Sequence, residues 1–454
     1  MLQKIEKILF YLFIFSIPLQ IRTIISWQGN EWNSMFLYLT DLLLVGVFIF
    51  AAINSILSPR ASGRLTQIFP RLPVFLIIFL ILALISVFFS SDKNVSVFRW
   101  LKLLEFAALY IYIMYRKEFW GAEKIFKIIV FSGFLQAILA IVQFYRQGSL
   151  GLKFIEAGAY TPGEPGVATF ISGTEKVMRA YGSFPHPNVL SAFLLLAIFC
   201  FYALWLYNYP KGKICYSLYF ICLIALIFAL FLTFSRGTIM VFVFVSFAFF
   251  LARFFQLREL YHTEERLIMG KRMMTLALFF VVFSVISAIV VLPYFKTRFV
   301  NISIEEEAID LRFFYNKIAI EMIKDKPLLG VGIGNYVNYS RNFPAFLRAA
   351  NAVLKGGGSV NAEIPEWLYQ PAHNIYLLIA AEIGILGVLI FIVFVLKRLW
   401  MAIKPIKPKE LIGLVGPMPF LFVGLLVIGL SDHFSWTLQS GGIIFWLSLA
   451  LTER

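Results

Sequence analysis

Runs of about twenty apolar residues recur along the chain, separated by short polar or charged stretches. A helix needs about 20 mostly apolar residues to cross a bilayer. Twelve segments qualify, at roughly 5–21, 35–57, 72–90, 95–115, 125–145, 188–208, 214–233, 238–256, 273–295, 374–396, 411–431 and 436–451. The first is marginal and the last is short. Two interruptions are too long to be turns. Residues 146–187 are rich in glycine and proline (AGAYTPGEPGVATFISG) and read as an irregular loop. Residues 296–373 begin with the acidic block Glu305, Glu306 and Glu307, and continue as DLRFFYNKIAIEMIKDKPLLG. That stretch has the spacing of an amphipathic helix ending at Pro327 and Gly330.

The pattern predicts an all-α protein: a polytopic membrane bundle of about twelve transmembrane helices with a large, partly helical outer loop. Helices 1–9 fall in residues 1–295, with the first outer loop at 146–187. The large loop occupies 296–373, and helices 10–12 occupy 374–454. The N-terminal run, with Lys4 and Lys7 ahead of Ile21, is laid out like a signal peptide. It shows no small-residue cleavage site and more spans follow, so it is expected to stay as the first helix. No internal repeat is visible, which gives an inverted-repeat transporter no support.

Composition agrees with this pattern. The chain is 60% hydrophobic and 17% aromatic, with a mean hydropathy of +0.84, beyond what a soluble domain can bury. Its formal charge of +15 could suggest nucleic acid, but the excess is not spread evenly. With the N-terminus placed in the cytoplasm, the inner segments hold 22 basic against 8 acidic residues and the outer ones 16 against 14. This is the positive-inside bias of a membrane protein with both termini cytoplasmic. Cys200, Cys215 and Cys222 lie in apolar runs with no metal-ligand or disulfide spacing, and read as packing thiols. His186, His262, His373 and His433 are scattered.

The chemistry concentrates where the long loops meet the membrane. In PAHNIYLLIAAEIGILG, 371–387, His373 and Asn374 open a predicted span and Glu382 sits inside it. On a continuous helix Gly384 would lie about 20° from the His373 face, while Glu382 would lie opposite and about 13 Å deeper. Small residues below the imidazole would admit another helix or a lipid chain. Glu382 would pair with another helix, for instance with Arg99 or Lys102. A histidine at the water boundary is either a general base or an interfacial anchor.

In LTFSRGTIM, 232–240, Arg236 sits in a very short outer turn, where a fixed guanidinium suits a phosphate or diphosphate; the alternative is a snorkelling anchor. Arg312 could supply a second such group or merely face solvent beside Asp310. GSFPHPNVL, 182–190, brings His186 and Asn188 to the start of a span, as a helix-start turn with Asn188 as cap or as part of a site. PLLGVGIGNY, 327–336, reads as a tight connector that lets backbone come close to something, not as a nucleotide loop. Arg99, Lys102, Glu105 and Asp41 fall inside spans, so they either line a cavity or pair with one another.

The order of these pieces resembles the O-antigen ligase family, which also covers O-antigen polymerases. The carriers are HNIYLLIAAEIGILG at 373–387, GSFPHPN at 182–188, FSRG at 234–237 and IDLRFFYNKIAIEMIKDKPLLGVGIGNY at 309–336. They span about the last 270 residues. The resemblance implies a membrane glycosyltransferase of the GT-C type in the bacterial cytoplasmic membrane. Such an enzyme moves a glycan from undecaprenyl diphosphate to an acceptor hydroxyl, such as lipid A core, at the outer face, with no metal and no nucleotide sugar. It would give His373 the role of activating the acceptor, and Arg236 and Arg312 that of holding the diphosphate, with Asn374, His186, Arg99 and Lys102 in support. A polysaccharide polymerase and a protein O-oligosaccharyltransferase share these motifs. A transporter is the reading from another class.

Overall fold

The computed structural model describes residues 1–57, 72–152, 155–158, 160–164, 166–172, 175–207, 212–259, 264–295, 307–355, 364–403 and 416–452. His262, Glu305, Glu306 and the basic stretches at 58–71 and 404–415 lie outside the described residues, as does the side chain of Cys215. Each of the twelve predicted spans contains helix among the described residues. The first five are α1 (Leu2–Ser16), α2 (Leu39–Leu57), α3 (Val74–Val87), α4 (Lys93–Tyr115) and, after the short α5 (Lys117–Trp120), α6 (Ala122–Arg146). Then follow α7 (Pro187–Tyr207), α8 (Lys213–Leu232), α9 (Arg236–Glu259) and α10 (Glu264–Phe295). The large loop holds α11 (Glu307–Asp325), α12 (Tyr336–Ser340) and α13 (Pro344–Lys355). The chain closes with α14 (Ile375–Ile383), α15 (Ile385–Ile403), α16 (Met418–Ile428), α17 (Phe434–Thr437) and α18 (Gln439–Thr452). Six of these helices are long and apolar enough to cross a bilayer, and four shorter ones are comparably apolar. This is an all-α, multi-pass membrane protein.

The pattern of each helix explains its place. α7 is apolar on every side (PNVLSAFLLLAIFCFYALWLY), and such a helix must be buried all round. It runs through the centre of the bundle, packed by α6, α8, α9, α10, α16 and α18, with every residue from Pro187 to Leu206 buried. α2 is apolar too but exposes Leu42, Val45 and Ile49 on one face, as a helix facing lipid tails would. At one end of the bundle Glu6 of α1 is fully buried, and both of its oxygens accept from Arg116, at 2.6 and 2.7 Å. Tyr112 and Asn54 complete its hydrogen bonds.

Three features differ from the sequence pattern. Residues 22–38 form an antiparallel hairpin, β1 (Arg22–Ser26) with β2 (Met35–Tyr38), so the second span starts at Leu39 and not at 35. The loop 146–187 is not wholly irregular: β3 (Thr169–Ser172) and β4 (Glu175–Met178) pair inside it. The third is a break in the span predicted at 374–396. Gly384 has φ +90° and ψ 171°, so α14 stops and α15 starts in a new direction.

What lies in the break is the glycine-rich connector. Backbone N–H groups of Val331 and Gly332 donate to the carbonyls of Ala381 and Glu382, and Ile385 N–H donates to Pro327 O, each at 2.9 Å. A Cβ on Gly384 would sit 2.0 Å from Leu328 O, and one on Gly330 2.4 Å from the carbonyl carbon of Glu382. These glycines therefore admit a crossing backbone, where the sequence suggested a neighbouring helix or lipid chain. The crossing fastens the large loop to the membrane bundle. The loop has a core of its own, built from Tyr315, Met322, Tyr336, Phe346 and Leu368 and seated on Leu378 and Ala381 of α14.

Candidate functional site

At the end of the bundle capped by the large loop, the turn between α8 and α9 is only a few residues long. Phe234 sits at its corner with φ +47°, an unusual value for a side-chain-bearing residue, stacks on Phe144 and packs at a tilt against Phe170. Arg236 follows as the first residue of α9. The first turn of a helix leaves backbone N–H groups without intrahelical acceptors and carries a partial positive charge. A small pocket opens at this point, about 40 Å³ in itself and about 390 Å³ out to its mouth. Its charged lining is Arg179, Arg236, Arg312 and Asp432, three cations against one anion. Arg236 and Arg312, 76 positions apart in sequence, thus face one cavity.

Arg179 is the member the sequence reading missed. It is buried, with Nε donating to Thr233 O at 2.7 Å and Nη2 to Asn188 Oδ1 at 2.6 Å. Asn188 Nδ2 in turn donates to Asp432 Oδ2 at 2.5 Å. One hydrogen-bonded chain therefore joins the arginine turn, the start of α7 and the end of α16. Asp432 also accepts from the backbone N–H of His433, which starts the short α17. The expected cap of α7 is not Asn188. His186 Nδ1 accepts the Asn188 N–H at 3.1 Å, so the histidine closes the helix start and the asparagine is free to bridge Arg179 and Asp432.

His373 lies immediately before α14. Its ring stacks on Tyr315 with centroids 5.6 Å apart and meets His433 edge-on at 4.7 Å. His373 Nδ1 is buried and has no hydrogen-bond partner among the described residues. His433 is more constrained, with Nδ1 tied to Thr437 Oγ1 at 2.7 Å. Asn374 caps α14, its Oδ1 accepting from the N–H groups of Tyr376 and Leu377, and its Nδ2 donates to Leu430 O.

The electrostatics link these groups into one cluster. Burial first, then His433, Arg312 and His186, pushes the His373 imidazolium down to about 3, with Asp432 pulling the other way. Burial and Arg179 do the same to His186, also to about 3. His433 is lowered as well, by burial with Arg312 adding and Asp432 opposing. Burial alone would raise Asp432, but the three histidines and Arg312 outweigh it and hold the carboxyl below its usual range. At neutral pH the imidazoles are therefore neutral and the carboxylate is ionised. The surplus positive charge comes from arginines, and an anion is the complement.

Arg99 and Lys102 do not reach this pocket. They line a second chamber between the β1–β2 hairpin and α4. Lys102 pairs there with Asp41 and Glu105, and Gln439 also donates to Asp41. Glu382, expected to pair with one of these cations, instead accepts from Trp436 Nε1 at 2.9 Å. Among the described residues no group of His, Cys, Asp and Glu is arranged to hold a metal ion.

Residues 220–392 match the family model described as O-Antigen ligase. The matched segment holds Arg236, Arg312, the glycine-rich connector, His373 and Gly384. The chain thus carries an O-antigen ligase family domain, in a multi-pass membrane setting. The stretch 182–188 lies before the match, as does Arg179, while Asp432 and His433 lie after it. No curated protein matches the chain.

Proposed function

We propose that the protein is a GT-C type glycosyltransferase of the cytoplasmic membrane that takes a glycan from undecaprenyl diphosphate and passes it to an acceptor hydroxyl on the outer face. The observation that carries this reading is the pairing of an arginine-lined pocket at a helix N-terminus with a neutral imidazole whose Nδ1 has no partner among the described residues. The diphosphate binds Arg179, Arg236 and Arg312 and the first turn of α9, by charge-assisted hydrogen bonds. The acceptor oxygen attacks the anomeric carbon as its bond to the diphosphate breaks, so the configuration inverts. The hydroxyl proton passes to His373, and undecaprenyl diphosphate leaves with the electron pair. The arginines stand where that leaving charge grows. No metal ion and no nucleotide sugar takes part.

The depressed basicity of His373 fits this order of events. Among these neighbours the imidazole is too weak a base to hold a proton at neutral pH. A bound diphosphate brings negative charge beside it and cancels the arginines, and both changes raise its proton affinity. The base is thus strengthened by the donor it serves. Ligase and polymerase differ only in the acceptor, lipid A core or another envelope molecule for the first and a second lipid-linked unit for the second. The family match over the catalytic segment favours neither, and the identity of the product separates them. The donor half of the reading is tested by titrating undecaprenyl diphosphate into purified protein in nanodiscs. Arg312→Ala, losing a hydrogen-bonded charge worth about 1.5–3 kcal/mol, weakens binding roughly 10- to 150-fold. Equal affinity in the native protein and in Arg236→Ala and Arg312→Ala proteins would contradict the assignment.

A further inference from the structure

The second chamber has no role in the reading above. It lies between the β1–β2 hairpin, the outer half of α4, and α17. Its void is about 70 Å³, and about 930 Å³ when the space out to its mouth is counted. Aromatic rings of Trp32, Phe98 and Trp436 line it, all half-buried and so partly open to a ligand. An aromatic face with polar groups beside it is the usual surface for a molecule with one apolar and one polar aspect, such as a sugar ring.

The chamber's charges are mostly satisfied. Arg22 pairs with Glu31 at 2.6 Å, Lys102 with Asp41 and Glu105, and Glu382 with Trp436. Arg99 differs. Its Nη1 donates to Thr437 O at 3.0 Å and its Nη2 to Trp32 O at 2.8 Å, both neutral carbonyls. Among the described residues, no carboxylate lies within ion-pair distance of it. A guanidinium has five N–H donors, so three remain for a ligand, together with a full positive charge. The two carbonyls hold it in place, so a ligand does not have to order it.

The position of this group is the second observation. Trp32 packs edge-on against His433 with centroids 5.0 Å apart, and His433 packs against His373. Thr437, whose carbonyl holds Arg99, uses its hydroxyl to fix the His433 ring. Pro371, two residues before His373, lines the same chamber. Trp32, His433 and Thr437 thus connect the chamber to the histidine cluster through direct contacts, and Asp432, next to His433, lines the arginine pocket.

We infer that this chamber is the acceptor subsite, and that it takes a sugar carrying an anionic group, a carboxylate or a phosphate, bound by Arg99. The inference rests on the transferase reading for the word acceptor. The anionic group enters the narrow void while the sugar ring lies across Trp32 and Phe98 at the mouth. A hydroxyl of that ring then points past Trp32 and His433 toward His373.

The test uses full-length protein in nanodiscs with two separate titrations. The first follows tryptophan fluorescence on adding glucuronate, glucose 1-phosphate or neutral glucose. The second follows binding of undecaprenyl diphosphate. The proposal expects saturable quenching by at least one anionic sugar, at least tenfold tighter than by glucose. A preference for glucuronate identifies a carboxylate, and one for glucose 1-phosphate a phosphate. Arg99→Lys, which keeps the charge but loses the planar fork, and Phe98→Ala each weaken that response about tenfold and leave undecaprenyl diphosphate binding unchanged. Absence of any saturable response, a response as strong for glucose, or one indifferent to both variants overturns the proposal. Failure of the native protein to bind undecaprenyl diphosphate overturns the donor assignment instead, whatever the sugars do.

Discussion

Replacing Gly384 with alanine probes the joint on which the site depends. At φ +90° and ψ 171° the backbone is in a region open essentially to glycine alone, and a side chain there costs about 1–3 kcal/mol. The added Cβ would also lie 2.0 Å from Leu328 O, 2.3 Å from Leu328 C and 2.7 Å from Leu329 N. All three are backbone atoms, so no rotamer change relieves the clash, and the connector must move out of the break. Three backbone hydrogen bonds hold it there, each contributing roughly 0.5–1.5 kcal/mol. Together the two effects predict a loss of about 3–7 kcal/mol. Gly29→Ala is the control, since its φ is +75° but nothing lies within 4 Å of its added Cβ, leaving only a backbone cost of about 1–2 kcal/mol. The assay is retention of folded protein on heating in nanodiscs, with donor binding as second readout. Because the connector follows the Arg312 helix and the break follows the His373 helix, Gly384→Ala also weakens donor binding. Equal thermal loss in the two variants would mean that the connector does not depend on the break, and would refute this reasoning.

Other expectations follow from the same contacts. Arg179→Lys keeps the charge but loses the fork that holds Thr233 O and Asn188, so donor affinity falls about 10- to 100-fold although this residue lies outside the family match; titration with undecaprenyl diphosphate reads it. Arg116→Met leaves Glu6 buried with only Tyr112 and Asn54 and costs about 3 kcal/mol in thermal stability, most of which returns when Glu6→Gln is added. For pH the sign is fixed by histidines held neutral: unfolded histidine takes up a proton near 6.5, whereas folded His186 and His373 refuse it until about 3. Stability is therefore greatest above about pH 6.5 and falls as the pH drops toward 3. Unfolding measured at pH 7.5 and pH 5 should show the loss, and a His186→Gln, His373→Gln protein should show a shallower one.

The membrane architecture was legible because hydrophobicity is a local property: twelve apolar runs in the sequence are twelve places with helix in the structure. The break at Gly384 was not, since HNIYLLIAAEIGILG carries nothing that excludes a continuous helix. Its glycine matters only because residues 327–332 cross there. The hairpins at 22–38 and 169–178 were hidden in the same way, one by its continuity with an apolar span and the other by glycine-rich surroundings. Among site residues, Arg236, Arg312 and His373 stood out because each sits beside a predicted membrane boundary. Arg179 and Asp432 did not, because their meaning lies in a chain of hydrogen bonds through Asn188 that joins three distant segments. The run SDHFSW, an acid and a histidine just past an apolar span, was the available signal for Asp432 and His433. Glu382 was expected to find a cation and found the indole of Trp436, a partner that only the folded chain brings to it.

The central claim, transfer of a glycan from undecaprenyl diphosphate with His373 as the base, is tested most directly by following release of undecaprenyl diphosphate. Purified protein in lipid is given an undecaprenyl-diphosphate-linked glycan and a set of envelope acceptors, and products are identified by mass spectrometry. The account predicts release coupled to a new glycosidic bond. It predicts that release is slowed about 10²- to 10⁴-fold in a His373→Ala protein that still binds undecaprenyl diphosphate. Release at the native rate in that variant, or movement of intact donor across the bilayer with no bond broken, would contradict it.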